Sequence, residues 1–190
     1  MPDDDLVKEL LRETETRMQK SLEVTRHDLS GIRTGRANPG LVEKVEVDYY
    51  GSRLPITQVA TVTAPEPRLL VISPWDKQAI PAIERAILKS DLGLNPASDG
   101  NVVRLPVPQL TEETRRNLIK LVHKRIEEGK VAVRNIRREG IEHLRTFKKE
   151  GDIAEDDEKR TEEQVQKYTD RFIHDLDQLQ KAKEAELLEV

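Results

Sequence analysis

LPVPQLTEETRRNLIKLVHKRIEEGK, residues 105–130, is where one texture of sequence stops and another begins. Pro106 and Pro108 hold the chain extended. Thr111 then stands as an N-cap, with Glu112 and Glu113 in the first turn, where carboxylates meet the positive end of a helix dipole. From about Glu112 to Lys149 the pattern predicts one helix, with an apolar stripe of Leu118, Val122, Ile126, Val133, Ile136, Leu144 and Phe147. Gly129 and Gly140 fall on the same face, where a partner helix could approach closely.

Upstream, residues 6–34 carry a similar stripe: Val7, Leu11, Met18, Leu22, Leu29 and Ile32. Gly35 suits the left-handed position that ends such a helix, and Pro39 prevents its resumption. Between the two helices the texture is β-rich. VEKVEVDYY alternates and meets Gly51, ITQVATVTA and RLLVIS are bounded by prolines, and NVVRLPV reads as a last short strand. AIPAIERAILKS reads as a short helix with Pro81 in its first turn. After the second long helix, EGDIAEDDEKR makes a turn, and a third helix runs to the end on Val165, Tyr168, Phe172, Leu176, Leu179 and Leu187.

Long helices with one apolar stripe are not stable alone and should pack together. The predicted fold class is therefore α+β: an elongated three-helix bundle (1–34 plus 109–190) with an inserted small β/α/β domain (35–108). Two adjacent connectors, near 34–37 and 105–109, would form a hinge of Gly35, Arg36, Leu105, Pro106, Val107 and Pro108. A two-armed L or V is the expected shape.

Composition narrows the function classes. Among 190 residues 36% are charged and 3% aromatic, and there is no cysteine, which excludes disulfides and thiolate metal sites. No apolar run approaches the roughly 20 residues that cross a bilayer. The acidic start, MPDDDLVKEL, lacks the pattern of a secretory signal, so a cytoplasmic protein is expected. His27, His123, His143 and His174 lack ligand spacing, and no metal site is predicted. DIAEDDEKRTEE fails as a calcium loop because Asp157 stands where glycine is required. No nucleophile–base pairing marks a catalytic residue. Trp75, Tyr49 and Tyr50 are expected in the core or at an interface.

The formal charge of −4 hides a basic element. Residues 111–150 hold 12 basic and 7 acidic side chains, whereas 151–190 hold 6 and 13. On a helical wheel the cations of the second long helix, including Lys130, Arg134 and Arg138, spread over about 100° away from the apolar stripe, with Arg137 just outside. Such a stripe could track the phosphates of a polyanion. Equally, the charges could be solvated or paired with acids of the third helix. Periodicity and charge leave both readings open, and with them a protein-binding coiled-coil adaptor.

IRTGRANP (32–39), VDYYG (47–51), SDLGLNP (90–96), PQLTEETR (108–115) and VAVRNIRR (131–138) together resemble ribosome recycling factors. These landmarks run in the family's order across nearly the whole chain. The resemblance implies a two-domain molecule similar in outline to transfer RNA. It would bind the 70S ribosome, chiefly large-subunit ribosomal RNA, and would act with elongation factor G to split the subunits. It further implies no activity or cofactor of its own, the GTP being used by the partner, and a monomer of bacterial type. On that resemblance the RNA-binding candidates are Arg134, Arg137, Arg138 and Lys130, with Arg33 and Arg36 secondary.

Overall fold

The structure, a computed structural model, describes residues 3–189. Three long helices dominate it: α1 (Asp3–Ser30), α3 (Glu112–Glu150) and α4 (Glu155–Leu188), with the short α2 (Ile80–Lys89) between the first two. The chain divides into two compact units, one of residues 1–26 and 121–182, the other of residues 27–120 and 183–190. Each is described separately.

The first unit is helical. Met18 and Leu22 of α1, Val122, Ile126, Val133 and Leu144 of α3, and Val165, Phe172 and Leu176 of α4 are buried in it. The burial follows the predicted stripes, with one shift: Leu10 is buried where Leu11 was expected. Polar residues also enter this core. Thr25, Thr161 and Thr169 are buried, and each hydroxyl donates back to the carbonyl four residues earlier. That bond satisfies the group locally, so a threonine can sit where two helices meet. The α3–α4 turn is closed by Gly151, at φ 86°, and by Asp152 N–H donating to Phe147 O at 2.9 Å. This is the wrapped helix end that favours glycine.

Gly129 and Gly140 are the points of closest approach. A Cβ at Gly129 would lie 2.6 Å from Thr25 Oγ1 and 3.3 Å from a Leu176 methyl. Alanine there gains about 1 kcal/mol of helix propensity and loses about 1–3 kcal/mol to overpacking. Gly129→Ala is therefore expected to destabilise the protein by about 1 kcal/mol in urea unfolding. In a Thr25→Ala background the same change should become neutral or stabilising.

The second unit is built on two antiparallel sheets. β1 (Glu46–Tyr49) and β2 (Ser52–Pro55) form a hairpin. β3 (Ala60–Glu66), β4 (Leu69–Pro74), β5 (Ala97–Ser98) and β6 (Val103–Pro106) form a sheet in the order β3-β4-β6-β5. α2 packs on it through Ile80, Ile83 and Ile87, which join Val47, Ile56, Leu70, Ile72, Val103 and Leu105 in one core. As predicted, Pro81 lies in the first turn of α2. At the hairpin tip Tyr50 and Gly51 take φ values of 50° and 79°, the paired left-handed geometry that matches strand twist.

Several expectations change. α1 ends at Ser30 and not near residue 34: Ser30 Oγ donates to His27 O (2.6 Å), and Ile32 N–H to Leu29 O (3.1 Å), closing the last turn early. Gly35 does have a left-handed φ, 77°, but in the connector beyond the helix end. Ile56–Gln58 is a 3-10 turn and not part of a strand. Trp75 and Tyr50 are 70% and 76% exposed, so neither is a core residue. Tyr49 is half-buried, and its hydroxyl donates to Asp76 at 2.8 Å. That bond to a carboxylate, reinforced by desolvation and the negative charge, pushes the Tyr49 pKa up to about 12.

Candidate nucleic-acid interface

Thr111 starts α3 as the sequence suggests: its Oγ1 accepts from Thr114 N–H at 3.1 Å. Thirty-nine residues then run without interruption, roughly 58 Å of rod at 1.5 Å per residue. A helix fixes side chains at known angles, so cations spaced by three and four residues share a face. Whether that face can hold a polyanion depends on how many of its charges are already engaged.

Lys130 is engaged. Its ammonium lies 2.6 Å from Asp177 of α4 and 3.3 Å from Glu127, and its side chain is only 13% exposed. The hydrogen bond to Asp177 raises the Lys130 pKa, against the opposing effect of burial. Farther along, Lys148 meets Glu158 at 2.5 Å, and Arg145 lies 3.9 Å from Glu162. For these residues the pairing alternative left open by the sequence is the arrangement found.

The arginines of VRNIRR are arranged differently. Arg138 is exposed and Arg134 half-buried, and neither makes a hydrogen bond or ion pair to another described residue. Arg137 is half-buried and donates to Gln166 Oε1 of α4 at 3.2 Å, a neutral acceptor that leaves its charge intact. Arg137 and Arg138 open onto a surface groove of about 690 Å³ that also includes Arg145 and Lys159. Glu142, Glu162 and Glu163 share its walls. Among the described residues the result is two guanidinium groups without a partner and one lightly held one on a single helix face. A guanidinium presents five donors in a planar fork that matches phosphate oxygens.

Arg33 and Arg36 lie in the second unit. Arg33 Nη1 donates to Leu92 O at 3.0 Å, bracing the connector against the loop after α2. Arg36 pairs with Glu189 at 3.0 Å, with both side chains half-exposed; such a pair contributes little and is easily exchanged. Of the residues expected to form a hinge, Leu105 and Val107 are built into the sheet core, and Val107 N–H bonds Arg68 O at 2.9 Å. Leu105 and Pro106 belong to β6. Arg36 and Pro108 are exposed outside the strands, and Gly35 is buried there.

Gln166 and Asp177 were not legible as partners of the basic helix. Both lie on α4, and only the packing of two helices shows which residues face each other. Their place on the polar side of the α4 stripe was the available signal. No group of three or more His, Asp or Glu that could hold a metal ion occurs among the described residues, and none of their helices is long and apolar enough to cross a membrane.

A helical bundle interrupted between its first and second long helices by a small antiparallel unit, with an arginine-bearing middle helix, defines the class of protein. Comparison narrows it. The ribosome recycling factor family model matches residues 25–188. The ribosome-recycling factor of Syntrophomonas wolfei is 54% identical over 185 residues, covering 97% of this chain and 100% of its own length. That of Heliobacterium modesticaldum is 52% identical with the same coverage. A solution structure of the ribosome recycling factor superposes with a TM-score of 0.78 at 44% identity, covering 97% of this chain and 98% of its own. A chain at 52% identity and TM-score 0.70, with 96% and 98% coverage, comes from models of the T. thermophilus ribosome recycling factor and the E. coli elongation factor G bound to the E. coli post-termination complex. The chain belongs to the ribosome recycling factor family.

Proposed function

We propose that this protein binds the post-termination ribosome in the bacterial cytoplasm. With elongation factor G and GTP it splits the ribosome into subunits, so that messenger and deacylated transfer RNA leave. Family membership supports the reading, as does the relative described together with elongation factor G on a post-termination complex. The observation that carries it at residue level is the free pair Arg134 and Arg138 beside the neutrally held Arg137.

The mechanism is mechanical. Arginine–phosphate contacts to large-subunit ribosomal RNA fix register without reading sequence. Arg134, Arg137 and Arg138 make those contacts. Lys130 contributes less, because its charge is already met by Asp177 and Glu127. The acidic remainder of the surface discourages indiscriminate RNA binding. The inserted domain of residues 35–108 offers the GTPase a surface to push, flexing at Gly35–Arg36 and at Pro108, while Leu105 and Val107 stay in the sheet core. The protein acts as a monomer, holds no cofactor and catalyses nothing itself; hydrolysis belongs to the partner.

The test is light scattering of post-termination ribosomes mixed with the protein, elongation factor G and GTP. A fall in scattering that requires all three components is expected. Unchanged scattering with active partner factor and nucleotide would overturn the reading. A protein-binding adaptor would give no such fall, and its ribosome association would be insensitive to salt.

A further inference from the structure

Lys130, Arg145 and Lys148 of α3 each face a carboxylate of α4, whereas Arg137 faces an amide. The amide is itself held. Gln166 Nε2 donates to Asp170 Oδ1 at 2.8 Å, one helical turn along α4. An ionised carboxylate only accepts and a guanidinium only donates. The two contacts therefore fix the amide one way round, with its NH₂ toward Asp170 and its oxygen toward Arg137. One of five guanidinium N–H groups is used, and no described carboxylate forms an ion pair with it, although Glu162 and Glu163 line the same groove.

We propose that Gln166 is a positioning residue for RNA binding: it aims Arg137 toward the groove while leaving its charge unspent. This rests on the reading of α3 as the RNA-binding face. A carboxylate at 166 would keep the contact to Arg137 and lose the one to Asp170, and it would have to be displaced, or share the guanidinium, before a phosphate could bind. The α4 helix is rich in acids, yet an amide stands opposite this arginine.

The experiment measures binding of the full chain to 70S ribosomes across a potassium chloride series, for the wild type, Arg137→Ala, Gln166→Glu and Gln166→Met. Gln166→Glu is expected to weaken binding about threefold to tenfold and lower the salt slope by about one, matching Arg137→Ala, since each removes one phosphate contact. Its melting temperature should change by only a few degrees, because the exposed ion pair it gains with Arg137 is set against the hydrogen bond to Asp170 that it loses. Gln166→Met removes the aim but not the charge, so affinity should fall about twofold with the slope retained. If Gln166→Glu binds like wild type while Arg137→Ala is weakened, the positioning role is wrong and the RNA face stands. A Gln166→Glu defect that tracks a lowered melting temperature also overturns the positioning role. If Arg137→Ala binds like wild type with an unchanged slope, the RNA reading fails at this residue, and the inference goes with it.

Discussion

Replacing Arg134, Arg137 and Arg138 together by glutamate is expected to lower ribosome affinity on the order of 100-fold and to abolish subunit splitting at protein concentrations that suffice for the wild type. Two of these groups have no partner among the described residues and the third is held by an amide. Reversal therefore breaks no ion pair among the described residues, and its cost is the new carboxylates set near Glu142, Glu162 and Glu163. The expected cost to stability is small, and the melting temperature should shift by only a few degrees. Equilibrium binding to ribosomes at fixed salt, with parallel thermal melting, separates the two quantities. A Lys130→Glu variant makes the contrast. It places a carboxylate against Asp177 and Glu127, so it should lower stability more than any single arginine reversal while affecting binding less.

Phe172→Ala should unfold most readily. The ring is 1% exposed, and the Arg171 guanidinium stacks over it at 4.6 Å from the centroid. Arg171 also bonds Glu15 of α1 at 2.6 Å, so the phenyl face supports a contact between two helices. Truncating a buried phenylalanine costs about 3–5 kcal/mol, a large share of the roughly 5–15 kcal/mol that holds a domain together. Urea unfolding followed by helical circular dichroism should show the midpoint falling with the slope preserved. A loss under about 1 kcal/mol would mean that the site collapses around the cavity.

The helices were legible because their signals are local. Thr111, Pro108 and the three- and four-residue spacing of Val122, Ile126, Val133 and Ile136 do not depend on the rest of the chain. The glycine face was legible for the same reason, and the structure supplies its partner threonines. The end of α1 was missed by about four residues. Ser30 closes the last turn through its hydroxyl, and that competed with the stronger-looking stop at Gly35. Tyr50 and Trp75 were expected in the core or at an interface, and the hairpin turn and the end of β4 place them on the surface, which removes the first alternative.

At the candidate site, sequence could assemble a cationic face but could not sort it. Arg134 and Lys130 are neighbours on the same helix face, and locally only Glu127, three residues before Lys130, distinguishes them. What separates them is across the helix pair, where Asp177 meets one and no described residue bonds the other. Pairing of this kind is a property of two packed surfaces and is not written in either alone. Arg137, just outside the stripe on the wheel, lies at its border with α4, which is why it reaches Gln166.

The most direct test of an electrostatic grip on RNA is the dependence of ribosome binding on potassium chloride, for the wild type and for Arg134→Ala/Arg138→Ala. A plot of log affinity against log salt should fall steeply for the wild type and be shallower by about two in the double variant, one for each lost phosphate contact. Equal slopes for the two proteins, or wild-type binding that ignores salt, would contradict the account.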